Sequence, residues 1–189
     1  MTIDHHGVLD ETLFRAVNHG GGSLVDALAV MVSTTWFGVV AGAVAVVAIL
    51  AIARGRRRAA LLLAFALALV ASDFVGSHAL KPLIGRMRPC FALPVGTFRW
   101  LAPASDVGSL PSLHSANFFA MAVVTWCVDR RVGIAALVIA TLVALSRVYV
   151  GVHWPTDVLA GAVWGVLCAW TALWISRRIF GQGTVPMSP

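Results

Sequence analysis

Charge is scarce in this sequence: 12% of its 189 residues are Asp, Glu, Lys or Arg, while 59% are apolar. With a mean hydropathy of +0.88, that balance excludes an ordinary soluble domain and points to an integral membrane protein. Ten-residue stretches alternating polar and apolar positions are also missing, which excludes a membrane β-barrel. The apolar runs are continuous and rich in Ala, Leu and Val, as membrane helices require. Neither a polar linker nor an internal repeat divides the chain, so a single domain over 1–189 is expected: an N-terminal segment 1–22, a transmembrane core 23–178 and a short tail 179–189. Cysteine is sparse, and Cys90, Cys127 and Cys168 have neither zinc-ligand spacing nor a disulfide framework. Cys127 and Cys168 read as small core residues and Cys90 as the more exposed one. Residues 1–22 carry Asp4, Asp10 and Glu11 and lack a basic start before an apolar core, so insertion through an uncleaved first span is expected.

What is present divides into apolar runs closed by arginines. Leu9 to Gly20 places Leu9, Leu13, Phe14 and Val17 at helical spacing with charges on the other side, predicting a short helix lying at the membrane surface. Leu24 to Ala53 is apolar except for Asp26 and a polar break at Ser33, Thr34 and Thr35. As one helix it would be about 45 Å long, against a hydrocarbon core of about 30 Å, so it splits into spans near 23–34 and 37–53; one long tilted helix is the alternative. Further spans are expected at 59–84, from Ser112 to the Asp129 region, at 132–149 and at 156–176. The fold expected is therefore all-α, an integral membrane helical bundle of about six transmembrane helices with a short N-terminal interfacial helix. Residues 85–110, rich in Pro and Gly, form a hydrated stretch long enough to be a lid, with Phe98, Arg99 and Trp100 suited to the interface.

The net charge of +6 does not indicate nucleic acid, because the basic residues cluster at the ends of apolar runs. Arg54, Arg56, Arg57, Arg58, Arg130, Arg131, Arg177 and Arg178, eight of the fourteen basic residues, fall on one side of a six-span chain, which should be cytoplasmic. On the opposite side meet the ends that carry Lys81, Arg88, His114, Arg147, His153 and Asp157. Ionisable groups at membrane depth are costly and mark functional sites by default.

Three cations in one place repel one another unless an anion joins them, and phosphate suits both the Arg fork and the Lys point charge. Ser112 adds an N-cap, and the helix behind it opens with free N–H groups. His153 and Asp157 are four apart with Pro155 between them. If Pro155 lies in the first turn of a helix, the carboxylate reaches one imidazole nitrogen and leaves the other free to attack phosphorus. His114, from another helix start, can protonate the departing oxygen. A zinc site of two His and one Asp is the competing reading, disfavoured by the nearby cations. Arg86 reads as an interface anchor, Asn117 as a support for His114, and His78 as either a pocket residue or part of a polar patch. Gly161 and Gly165 read as a close-packing pair.

Lys81-x6-Arg88-Pro89, Pro111-Ser112-x-His114 and Ser146-Arg147-x5-His153-x3-Asp157 together resemble the three-part signature of the type 2 phosphatidic acid phosphatase superfamily. The resemblance implies that His153 becomes phosphorylated with Asp157 in support, that His114 is the general acid, and that Lys81, Arg88, Ser112 and Arg147 hold phosphoryl oxygens. It implies no metal and no cofactor. Leu113 stands where the family most often has Gly; its backbone N–H can still serve an oxyanion if the side chain points away.

The function expected is a lipid phosphatase of the bacterial inner membrane, its site facing the periplasm or cell exterior, with a lipid phosphate from the bilayer as its partner. Undecaprenyl diphosphate is the first candidate substrate; phosphatidylglycerophosphate, phosphatidic acid and lipid A 1-phosphate are its rivals. A lipid phosphotransferase and a non-catalytic lipid-phosphate binding or transport protein are the alternative classes.

Overall fold

The computed structural model of the chain describes residues 7–105 and 108–184, and within them the regular structure is helical. In chain order the helices are α1 (Val8–Val17), α2 (Ser23–Val32), α3 (Thr35–Ile52), α4 (Gly55–Val75), a π-helical turn (Gly76–Leu80), α5 (Lys81–Ile84), α6 (Pro89–Ala92), α7 (Leu113–Trp126), α8 (Arg130–Tyr149) and α9 (Pro155–Phe180). Among the described residues, four stretches are long and apolar enough to cross a membrane: α3, the continuous run Gly55–Ile84, α8 and α9. The other two expected spans are shorter than expected. The polar break splits the first apolar run as its residues suggest, because Thr34 caps α3 by accepting from the Phe37 N–H at 3.2 Å. That leaves α2 only ten residues, about 15 Å of helix, half a hydrocarbon core. α7 has fourteen residues and is enclosed by protein, packed against α4, α8 and α9 with Ala116, Ala120, Ala122 and Val124 buried.

Alanine and glycine let these helices approach closely, which drives association in lipid where apolar surface alone gives no advantage. The core between α3, α4, α7, α8 and α9 is built from Ala60, Ala64, Ala68, Leu61, Val124, Val143 and Leu173. A Cβ on Gly161 would lie 2.3 Å from the Ser112 carbonyl oxygen, and one on Gly165 would lie 2.0 Å from that of Ala116. The two glycines thus seat α9 directly on the first turns of α7. Two hydrogen bonds fix the register there: Ser112 N–H to the Asp157 carbonyl at 2.9 Å and Ser115 Oγ to the Val158 carbonyl at 2.7 Å.

The arginine-rich ends gather at the other pole of the bundle. Arg57 donates to the carbonyls of Cys127 (2.9 Å) and Val128 (3.1 Å), and Ser176 donates to the Ala60 carbonyl (2.6 Å).

Two further expectations are revised. The stretch after α5, expected as a lid, is tied to α1 and α2 at its middle. Arg99 forms a forked ion pair with Asp26 (2.9 and 2.5 Å), and Asn18 at the end of α1 clasps the Arg99 N–H (2.7 Å) and carbonyl (2.8 Å). Arg99 is therefore a tether rather than an interface anchor, and Cys90 is buried rather than exposed.

Candidate active site

Five helix ends and one turn converge at the pole opposite the arginines. Lys81 is placed by the π-helical turn, whose wider coil inserts an extra residue into the helix ladder before α5. The turn begins at Gly76, where a Cβ would lie 2.4 Å from Leu113 Cδ2. A missing side chain at the start of the π-helical turn thereby receives the leucine on α7. Lys81 Nζ donates to the Gly108 carbonyl at 2.7 Å and is buried. Arg88 precedes Pro89, the first residue of α6, and its guanidinium donates to the carbonyls of Ser105 and Val152, both at 2.9 Å. Arg147 ends α8, and its Nη1 donates to the Ser33 carbonyl (2.8 Å) and hydroxyl (2.5 Å). Ser33, in the break between α2 and α3, was noticed in the sequence only as a helix interruption.

His153 lies in the turn before α9, almost fully buried. Its Nε2 is 3.0 Å from Arg88 Nη1, and a guanidinium can only donate, so Nε2 carries the lone pair and the ring proton sits on Nδ1. Nδ1 faces Asp157 Oδ2 at 3.3 Å. Burial first, then the charges of Arg88, Arg147 and Lys81, hold the His153 imidazole well below the ordinary histidine range, so the contact with Asp157 is a hydrogen bond to a neutral ring. Pro155 occupies the first helical position of α9, as its spacing suggested, and places Asp157 where its Oδ2 accepts the Trp154 N–H at 2.8 Å. Ser109 donates to the same oxygen, and Arg86 donates to Oδ1 at 2.7 Å.

Lys81, Arg88, Leu113, His114, Arg147 and His153 all line one cavity of about 1020 Å³. Ser112 and Asp157 stand just behind it. Ser112 Oγ and Arg147 Nε are buried polar atoms without a hydrogen-bond partner among the described residues, a costly arrangement that an oxyanion would relieve. From this charged end the cavity continues along the bundle as a mainly apolar groove past Gly38, Val39, Gly42, Leu69, Val70 and Met121.

Four neighbours of the site escaped the sequence reading. Arg86 is not an interface anchor: it is buried and bridges Asp157 to Asp10, the latter buried on α1 instead of facing outward. Ser109 and Ser33 are the others. The Arg86-x-Arg88 spacing was the one available signal, since extended residues two apart point to the same side. Asn117 does not reach His114; it bonds Ser72 and Asp73 (3.3 Å) across the groove wall. His78 lines the cavity and bonds Ser77 at 2.8 Å.

Residues 59–180, which include the cation cluster, His114 and His153, match the PAP2 superfamily. The chain belongs to that superfamily. The chain is similar to a lipid A 4'-phosphatase of Bacteroides thetaiotaomicron, 29% identical over 121 residues covering 61% of this chain and 54% of the relative. It is also similar to a putative undecaprenyl-diphosphatase of Escherichia coli, 38% identical over 108 residues covering 57% and 52%. The chain spans about half the length of these two relatives. Among solved structures, that of Aquifex aeolicus LpxE is similar with a TM-score of 0.70 at 27% identity, over 92% of this chain and 99% of that one.

Proposed function

We propose that the protein is a metal-independent lipid phosphatase acting through a phosphohistidine. The observation that carries this reading is the His153 ring, whose Nε2 lone pair lies 3.0 Å from Arg88 while Asp157 holds the proton side. In the first step Nε2 bonds to phosphorus as the bond to the lipid oxygen breaks, and that oxygen takes a proton from His114. In the second, water attacks the phosphohistidine with His114 as base, the P–N bond breaks, and inorganic phosphate leaves. Lys81, Arg88, Arg147, the Ser112 hydroxyl and the N–H groups opening α7 stabilise the charge on five-coordinate phosphorus, the largest catalytic contribution in such a site. The apolar groove beside α3 suits a lipid tail.

Undecaprenyl diphosphate is the first substrate to test, supported by the Escherichia coli relative; a lipid A phosphate is the second, supported by the Bacteroides one. The test is a phosphate-release panel over detergent-solubilised lipid phosphates and diphosphates with a chelator present, using His153→Ala as control. Release that survives chelation and is lost in the variant is the expected result. Release unchanged in the folded variant removes His153 as nucleophile, and release abolished by the chelator restores the metal reading.

A further inference from the structure

Asp10 lies outside residues 59–180, on the helix expected to rest at the membrane surface, yet it is 5% exposed and sits at the base of the site. One of its oxygens accepts the Thr156 N–H at 3.0 Å, and the other accepts the Thr156 hydroxyl at 2.5 Å and a close contact from Arg86 Nη2. Asp10 is thus a cap supplied by α1 to the first turn of α9, where the backbone N–H groups have no partner within their own helix. The remaining arm of the Arg86 fork, Nη1, donates to Asp157 Oδ1 at 2.7 Å and to Thr156 Oγ1 at 2.7 Å. Arg86 also lies over the Trp154 ring at 5.8 Å, and Phe14, one turn beyond Asp10 on α1, packs on that ring at 5.3 Å.

A continuous chain runs Asp10, Arg86, Asp157, His153. Asp157 reaches His153 through Oδ2, which also accepts from the Trp154 N–H and Ser109, and its other oxygen, Oδ1, is held by Arg86, so the plane of the carboxylate is fixed from both ends. Arg86 is held on one arm by Asp157 and the Thr156 hydroxyl and on the other by Asp10; with a carboxylate on each arm the plane of the fork is fixed, and without Asp10 the Nη2 arm loses its partner. We propose that Asp10 is a positioning residue, holding Asp157 and through it His153 in the orientation for attack, so that α1 is a working part of the site. This rests on the reading of His153 as the nucleophile.

The test uses the full-length protein in detergent, with phosphate release for kcat and KM and orthovanadate, a mimic of five-coordinate phosphorus, for an equilibrium Kd. Asp10→Asn keeps the shape and removes the charge. It should lower kcat about tenfold or more with KM within about threefold, the pattern of an interaction made in the transition state, and weaken vanadate binding by a similar factor. Arg86→Lys, which cannot span both carboxylates, should do the same, and the double variant should be no worse than the single ones. Asn18→Ala is the control for docking of α1 alone, since Asn18 ties that helix to Arg99 and Tyr149 away from Asp157; it should leave kcat and vanadate Kd within about twofold. Asp10→Asn equal to wild type in both readouts, or Asn18→Ala falling as far as Asp10→Asn, overturns the proposal. A wild-type protein that binds vanadate through His153 but releases no phosphate from any lipid counts against the phosphatase reading instead, and the vanadate values then decide the role of Asp10.

Discussion

His153 is buried among cations and kept neutral, and the consequence for pH follows from its sign. Its folded pKa lies below that of a free histidine, so the unfolded chain binds a proton near pH 6.5 that the native protein refuses. Stability contributed by the neutral ring is therefore complete above about pH 6.5 and lost as pH falls toward the folded value. Thermal midpoints measured in detergent between pH 8 and pH 5 should drop on the acid side, and His153→Gln should flatten that drop. If His153 is the proposed nucleophile, its supply should not begin to fail at the usual histidine pKa, by the same reasoning. Ser109 provides a sharper residue-level check. Its hydroxyl donates to Asp157 Oδ2, the oxygen that also faces His153. A hydrogen bond to a charged group contributes about 1.5–3 kcal/mol, so Ser109→Ala should lower kcat about ten- to hundred-fold while KM changes little, read from steady-state phosphate release.

Between helices, the site depends on how α9 sits on α7. Gly161→Ala and Gly165→Ala would push a methyl group into the carbonyl oxygens of Ser112 and Ala116, which backbone cannot yield cheaply. Each should cost about 1–3 kcal/mol of stability and separate the helix starts that carry His114 and His153, measurable as a lowered thermal midpoint with reduced kcat. Gly42 is the contrasting case, since a Cβ there would meet only Met121 Sδ at 3.9 Å. Gly42→Leu should fold normally, fill the apolar groove and raise KM about tenfold for long-tailed lipid phosphates, while a short-chain water-soluble phosphate ester is unaffected. These contacts show which parts of the molecule were readable from its residues. The bundle was, because membrane helices announce themselves by apolar length, and so was the meeting of Lys81, Arg88, His114, Arg147 and His153 at one pole, because flanking arginines order the spans. The shortness of α2 and α7 was not, since apolar length alone does not reveal a helix enclosed by others. The π-helical turn escaped because one inserted residue barely alters a periodicity. Arg86 and Asp10 were misread for a shared reason: each looks like a surface charge until the docking of α1 buries both.

At the scale of the whole molecule, charge is arranged as a dipole of function. Arg54, Arg56, Arg57, Arg58, Arg130, Arg131, Arg177 and Arg178 occupy one pole, while Lys81, Arg86, Arg88 and Arg147 are buried at the other, satisfied by carbonyls and carboxylates. Only the first group lies at helix ends that are not buried in the protein, and positive charge flanking a span favours the cytoplasmic side. The buried cations do not oppose it, because they belong to helix ends that close around the candidate site. On this rule the proposed site would face outward, and a lipid phosphate of the outer leaflet would enter the groove sideways. This orientation is testable without any substrate. Val95, 94% exposed beyond α6, marks the site pole, and Gly183, with open space around it, lies beyond the arginine end of α9. In cells whose outer barrier has been removed, a membrane-impermeant maleimide should label Val95→Cys directly and Gly183→Cys only after the membrane is opened. The native cysteines give little background, since Cys90 and Cys168 are buried and Cys127 is partly so. Labelling in the reverse order would place the cation cluster in the cytoplasm, and the substrates to consider would become those of the inner leaflet.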